Sequence, residues 1–252
     1  MTSAVLIRGA SGQFDRGLNA TADLMASQDL LHAVSQHPEL GAIVRVYRPA
    51  PTLAFSRRES HLPRFAEAVA EASAFGYEPV IRPAGGRAVA LDAQWLVLDV
   101  ITPELTRRDN TEVYRDWGQR LVDLAREHGV DARLGPVEGE YCPGEYSVNA
   151  RGVVKLFGTA QRVSRHARLF SASVALSISP IAAELLDRVN RLLELDWSPA
   201  TLGSLAVEAP GWAAESVEHQ LAAAFAGAHA PECSLADIQS AIEVVETEGC
   251  HV

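Results

Sequence analysis

Between Val80 and Ser179 the apolar residues fall in short β-like runs broken by glycine and proline, and helical periodicity lies on either side of that stretch. This alternation constrains the fold more than any other feature. Strand-length runs need neighbours to pair with, whereas long helices need a sustained 3.6-residue period. The runs are VIRPAGGRAVALD, QWLVLDVITPE, EYSVNARGVVKLFGTAQR and ARLFSASVALSIS, with one helix expected from about Glu112 to Glu127. Ahead of them, NATADLMASQDLLHAVSQ places Leu24, Leu30, Leu31 and Val34 at helical spacings. GAIVRVYRP and PTLAFSRRES read as strands, and HLPRFAEAVAEASAFGYEP as a helix ending at Gly76.

The last third reads as helical: IAAELLDRVNRLLEL, SVEHQLAAAFAGAH, and SLADIQSAIEVVETE opened by Ser234 as a cap, with GCHV as a loose tail. No repeat or low-complexity linker divides the chain. The expectation is one α/β domain over residues 1–252, sheet-rich to about residue 179 and helical from about residue 180.

Of 252 residues, 48% are apolar and 21% charged, enough to bury a substantial core. No uninterrupted apolar run of membrane-spanning length occurs, and MTSAVLIRGASGQ lacks the layout of a secretory signal, so a cytoplasmic protein is expected. Cys142, Cys233 and Cys250 are too few and scattered for a disulfide framework, and no Cys/His spacing suggests a metal site. A formal charge of −10 disfavours nucleic acid as a partner, because phosphate contacts need a basic surface. Of the 22 basic residues, 21 are arginine, and Lys155 is the one lysine. A bias toward arginine explains why lysine is rare but not which one remains. A compact ammonium has chemistry that a guanidinium cannot imitate.

Three segments carry candidate chemistry. In RPAGGRAVALD (82–92) paired glycines allow positive φ and close approach of a ligand, with a hairpin turn as the alternative. It matches neither a dinucleotide fingerprint nor a P-loop. In EGEYCPGEYSVN (138–149) Cys142 precedes Pro143 and Gly144 on a turn, where a thiol can face a cleft, with burial as a small apolar residue as the alternative. VVKLFGTAQR (153–162) puts Lys155 on a strand 13 positions later. A hairpin could fold that cation back against the Cys142 turn, where it would favour the reactive thiolate. A solvated strand lysine is the alternative.

These residues resemble the lipoate and biotin ligase/octanoyltransferase superfamily. NATADLMASQDLL resembles its first helix, RVYRPAPTLAFSRRES its paired strands, RPAGGRAVALD its arginine-glycine loop and VVKLFGTAQR its lysine motif, covering roughly residues 20–225. The resemblance implies a class II biotin synthetase/lipoate ligase-like α/β fold, with mixed and antiparallel sheets flanked by helices. ATP-dependent lipoate ligases usually carry three consecutive glycines and a His-Asp pair in the loop. Here Arg87 stands at the third glycine and Leu91-Asp92 at the pair, and a long carboxy-terminal accessory domain of the kind seen in many ligases is not expected. GG-x-AV-x-LD with YCPG-x-Y and K-x-x-G-x-AQR is more similar to the cysteine-dependent amidotransferases that take octanoyl from the glycine cleavage H protein.

That resemblance implies that Cys142 carries the acyl group as a thioester and that Lys155 lies in the acyl pocket. It implies also that Arg82, Gly85, Gly86, Ala88, Val89, Gly158, Thr159 and Ala160 bind substrate. The expected substrates are an octanoyl or lipoyl group, a glycine cleavage H-like donor and a lysine of a lipoyl domain, with no nucleic acid, membrane or metal involved. No cofactor is required on this reading; ATP and magnesium would be required of a lipoate-protein ligase, the alternative. A non-catalytic acyl- or carrier-binding protein is a second alternative. Arg82 and Asp92 are expected to hold the loop or to form a structural ion pair. Arg162, Arg165 and Arg168 are expected either to meet an acidic carrier domain or to lie on a solvated strand edge.

Overall fold

A computed structural model describes residues 4–8, 19–83, 85–104, 106, 108–240 and 242. Among them the elements run β1 (Val5–Arg8), α1 (Ala20–Gln36), β2 (Ile43–Tyr47), β3 (Thr52–Ser56), α2 (Phe65–Ala74), β4 (Glu78–Arg82), β5 (Val89–Leu91), β6 (Trp95–Pro103) and α3 (Asn110–Glu127). They continue with β7 (Ala132–Leu134), β8 (Val148–Ala150), β9 (Val154–Val163), β10 (Ala167–Ala175), α4 (Pro180–Leu192), α5 (Leu205–Glu208), α6 (Ala214–Ala226) and β11 (Glu232–Cys233). Residues 235–240 are helical.

Eight of these strands form a sheet in the order β11-β1-β2-β6-β10-β9-β8-β7, and three form a second sheet, β4-β3-β5. In the large sheet β1 is parallel to β2 and β11, and the remaining pairs are antiparallel. In the small one β3 is parallel to β4 and antiparallel to β5. The expected α/β fold with mixed and antiparallel sheets flanked by helices is the one observed.

The central strands read as apolar runs because both their faces are covered. β6, WLVLDVITP, is buried from Trp95 to Val100 and at Ile101. On one side α3 and α6 bury Val113, Trp117, Leu121, Val217 and Leu221 against the sheet. At about 2 kcal/mol per fully buried leucine or valine, that stripe rather than intrinsic propensity holds the two helices in place. α2 and α4 cover the small sheet with Ala68, Ala72, Leu185, Leu186 and Val189. α1 packs Leu30, Leu31 and Val34 on Ile43, Ile101 and Leu169. A fourth cluster, Tyr47, Ala54, Val89, Leu91, Trp95 and Val97, lies where the two sheets face each other.

Local signals fix several boundaries. Asn19 caps α1 by accepting from Ala22 N–H at 2.8 Å. Asp109 caps α3 through Thr111 and Glu112, which starts that helix two residues earlier than the sequence suggested. α2 ends as expected, with Gly76 at φ +80° and Tyr77 N–H returning to Ala72 O. Ser234 caps the last helical segment through Asp237 N–H. The rest of that expected helix, together with Cys250 and the GCHV tail, lies outside the described residues, as does most of the amino-terminal segment.

The structure adds two strands and corrects three readings. β1 and β11, four and two residues long, are too short to show a period, and β11 lies between two of the expected helical segments. β2 and β3 are not paired with each other; they belong to different sheets. Pro49 and Pro51 between them lack the N–H that a hairpin ladder would use. Gly85 and Gly86 do not form a hairpin turn, because β4 and β5 lie on opposite sides of β3. Arg168 is not available to dock a carrier: it is 1% exposed and gives a bidentate contact to Glu104, at 3.0 and 2.8 Å, with further bonds to Asn110 Oδ1, Gln161 Oε1 and Arg108 O. Arg162 and Arg165 are exposed.

The Arg168 hydrogen bonds hold the Glu104 carboxyl below the ordinary glutamate value near 4.5. Its stabilising contribution is therefore complete above about pH 4.5 and lost as pH falls through the folded-state value. Glu104→Gln, which leaves the buried guanidinium without its anion, is expected to lower the unfolding free energy at pH 7 by about 3–5 kcal/mol in urea titrations. The difference from wild type should shrink once the pH drops below about 4.5. A difference that stays constant down to acid pH would refute this account.

Candidate active site

The turn that carries Cys142 is wrapped around a carboxylate of its own. Glu140, 0% exposed, accepts at Oε1 from Gly144 N–H (2.8 Å) and from the Ser147 hydroxyl (3.1 Å). These bonds fix residues 140–147 as a compact loop entering β8. At the far end of β8 the chain reverses through Arg151 and Gly152, both at positive φ (58° and 75°), with Asn149 Oδ1 accepting from Gly152 N–H at 2.7 Å. The β8–β9 hairpin then sets Lys155 opposite Asn149.

Lys155 accordingly folds back against the cysteine turn. Its Nζ donates to the Cys142 carbonyl oxygen at 2.6 Å, lies 3.1 Å from Glu140 Oε2 and sits 4.9 Å over the Tyr141 ring. At 3% exposure it is not a solvated strand lysine. Gly158, three residues further along β9, packs closely between Ser173 and this side chain. A Cβ there would crowd Ser173 Oγ at 3.0 Å and touch Lys155 Cε at an ordinary contact distance of 3.5 Å.

The glycine loop meets the same turn from the small sheet. Arg82, the last residue of β4, donates from Nη2 to Arg87 O at 2.8 Å, and Arg87 N–H donates to Cys142 Sγ at 3.1 Å. Gly86 has φ +104°, and a Cβ on it would fall 2.7 Å from both Arg82 Nη2 and Cys142 Sγ. Here glycine is required both by backbone conformation and by the approach of the sulfur. Among the described residues no ion pair joins Arg82 to Asp92. Arg82 braces the loop through Arg87, whereas Asp92 accepts from the Tyr77 hydroxyl (2.6 Å), the Ser179 hydroxyl (3.0 Å) and Gln94 N–H (2.8 Å) at the other end of β5.

These three segments surround a cavity of about 370 Å³ between the two sheets, within the range of small-molecule sites. Cys142, Lys155, Arg82, Gly85, Gly86, Val89, Gly158, Thr159 and Ala160, all expected from the sequence, line it. Ala88 does not. It is 2% exposed in the core beneath α2 and α4, and its N–H donates to Glu59 Oε1 at 2.7 Å. Leu24, Tyr47, Ala54, Leu91 and Val97 give the cavity its apolar walls.

One wall is polar. Asp99 on β6 accepts from the Ser27 hydroxyl of α1 and lies in register with Arg45 on β2 and Ser171 on β10. Burial pushes the Asp99 carboxyl upward, and hydrogen bonds from Ser171 and Ser27 pull it back. Arg45 is paired with Asp23 at 2.6 Å and stacks 3.7 Å over Tyr47. Burial likewise raises the phenols of Tyr47 and Tyr141. Glu140, Tyr141, Asp99, Ser171 and the Arg87 amide were not singled out in the sequence. Glu140 stands in EGEYCPG, where a carboxylate beside glycines reads as a solvated turn residue. Among the described residues no group of three or more His, Cys, Asp or Glu side chains is arranged to hold a metal ion, and no helix is long and apolar enough to cross a membrane.

Residues 21–225 match the model of the lipoyl protein ligase A/B catalytic domain. Among curated proteins, an octanoyl-[GcvH]:protein N-octanoyltransferase of an Exiguobacterium species is 31% identical over 137 residues, 54% of this chain and 48% of that protein. A lipoyl-[GcvH]:protein N-lipoyltransferase of Listeria monocytogenes is 29% identical over 139 residues, 54% of this chain and 48% of that one. The chain thus spans about half the length of these curated relatives. Among solved structures, the putative lipoate protein ligase Ta0514 of T. acidophilum with bound lipoic acid superposes with a TM-score of 0.70 at 16% identity, over 96% of this chain and 92% of that one, a likeness of fold. With the family model matching most of its length, the chain belongs to the lipoyl protein ligase A/B catalytic domain family.

Proposed function

We propose that this protein is an acyltransferase that moves an octanoyl or lipoyl group from a glycine cleavage H-like donor to a lysine of a lipoyl domain, through a thioester on Cys142. One observation carries the reading: a thiol, a buried ammonium and the glycine loop converge on one cavity with apolar walls. The names of the transferases that this chain resembles point the same way. With the reading goes the cytoplasmic location expected from the sequence.

In the first step the Cys142 thiolate attacks the carbonyl carbon of the acylated donor lysine. The C–N bond breaks, the donor nitrogen takes up the proton that the thiol gave up on ionising, and the acyl group remains as a thioester. In the second step the acceptor amine attacks that thioester, the C–S bond breaks, and the amine gives up a proton as the thiolate returns. Two acyl transfers exchange one amide for another, so no nucleotide is consumed. Lys155 has three N–H donors, of which one goes to the Cys142 carbonyl, and its charge is paired with Glu140 Oε2 at 3.1 Å. A further N–H is left for the acyl oxygen as charge builds on it. Burying an eight-carbon chain along Leu24, Tyr47, Ala54 and Val97 contributes on the order of 5 kcal/mol toward holding the substrate.

Incubation with an octanoylated donor protein, without nucleotide, is expected to add one octanoyl mass to the enzyme. Hydroxylamine should remove that mass, and Cys142→Ala should never acquire it. Lys155→Met is expected to slow acylation by about 10²–10³-fold, the usual cost of one oxyanion donor. An adduct that survives in Cys142→Ala sinks the thioester mechanism, and transfer that requires ATP and magnesium establishes the ligase alternative. Tight retention of an acyl ligand with no turnover would mark a binding protein instead.

Gly86 offers a second test, because a methyl group there must displace either the sulfur or the Arg82 guanidinium. Gly86→Ala is expected to acylate at least about tenfold more slowly than Gly85→Ala, since displacing a reacting atom by a fraction of an ångström is costly. Beside Gly85 a Cβ would meet nothing within 4 Å. Equal rates for the two variants would separate the thiol from the glycine loop.

A further inference from the structure

A lysine beside an acyl thioester is a hazard for an enzyme whose product is an acylated lysine. In the mechanism proposed above, the acyl group spends its covalent lifetime on Cys142, and the Lys155 side chain lies along the same turn, 2.6 Å from the Cys142 carbonyl oxygen. As a free amine, Lys155 would be an intramolecular acceptor with a large advantage over any carrier, because proximity alone raises such rates by orders of magnitude. The Nζ–acyl bond would form, the C–S bond would break, one Nζ proton would pass to the departing sulfur, and the enzyme would be left as a dead-end amide.

Glu140 opposes this. Its carboxylate is fully buried, 3.1 Å from Nζ, and is held from behind by Gly144 N–H and the Ser147 hydroxyl, so it cannot swing away without unmaking the cysteine turn. Paired in this way, Lys155 is an ammonium without a lone pair to attack with, yet it keeps one N–H for the acyl oxygen. The remaining basic side chains are arginines, whose guanidinium stays charged and takes no acyl group. The one side-chain amine in the chain is thus the one locked into a buried ion pair beside the candidate nucleophile.

We infer that Glu140 is a positioning residue that holds Lys155 as an ammonium, so that the acyl group on Cys142 passes to a carrier amine and not to the enzyme's own lysine. This rests on the thioester reading. It commits the Lys155–Glu140 pair to selecting the acceptor as well as to stabilising charge.

The test uses the full chain, loaded at Cys142 with excess octanoyl thioester of a small thiol and followed by mass spectrometry before and after hydroxylamine. Wild type should carry only a hydroxylamine-labile octanoyl group, with the Lys155 peptide unmodified. In Glu140→Gln a hydroxylamine-resistant octanoyl group should accumulate on Lys155 at least about tenfold faster, because the neutral amide no longer favours the ammonium. Glu140→Asp, which keeps the charge, should remain labile like wild type, and so should Glu138→Gln at an exposed site. Resistant adduct in wild type as fast as in Glu140→Gln, or none in a folded Glu140→Gln, overturns the inference.

A second arm needs no thioester: acetic anhydride is applied in the presence of a free lysine peptide. Lys155 should escape acetylation in wild type while the peptide reacts, and should react in Glu140→Gln. If Glu140→Gln does not fold, acetylation of wild-type Lys155 at the rate of the peptide still overturns the inference. If no protein gains octanoyl mass, the thioester reading fails, and the anhydride arm alone decides the protonation role of Glu140.

Discussion

An ammonium cannot be taken out of water alone, and most of the architecture of the candidate active site follows from how this chain compensates Lys155. Desolvation costs several kcal/mol per ion unless an anion and further hydrogen bonds replace the water. The anion is Glu140 and the hydrogen-bond acceptor is the Cys142 carbonyl. To be in place, Glu140 needs its other oxygen satisfied by Gly144 and Ser147, which bends residues 140–147 into the turn that presents the thiol. The charge and the thiol are therefore positioned by the same bonds. Neither can be moved independently of the other.

The same rule governs the rest of the interior. Arg168 with Glu104 and Arg45 with Asp23 are pairs in which both members are nearly inaccessible. Arg168 ties the end of β6 and the start of α3 to β10, and Arg45 ties α1 to the middle of the large sheet. Both arginines sit on central strands where a sequence would place an aliphatic residue. Their arrangement accounts for polar letters inside otherwise apolar runs.

Much of the fold was legible because its strands and helices carry long-lived patterns: the periodic faces of α1, α3 and α4, the apolar run of β6, and Gly76 as a helix terminator. Lys155 was legible by rarity and Gly86 by its pairing with Gly85. What the sequence could not show depends on residues far apart in number. Glu140 becomes a buried anion only once β9 returns beneath it, Arg168 becomes a core residue only when Glu104 meets it, and Ala88 follows the core only because Glu59 takes its N–H. The split between β2 and β3 is likewise a tertiary outcome, since each is a sound strand locally and only the choice of sheet distinguishes them.

β1 lies between β2 and β11 and pairs Leu6 with Glu232, nearly the whole described chain apart. Its other partner, β2, and the hairpins β8–β9 and β9–β10 join segments that are much closer in sequence. Loop-closure entropy must be met before distant contacts are rewarded, so the hairpins can form early and the β1–β11 edge is closed late. During synthesis the ribosome releases β11 after every strand that lines the cavity. The half of the sheet that lines the cavity can therefore be assembled while its opposite edge is still open, and the last pairing seals a border remote from that cavity.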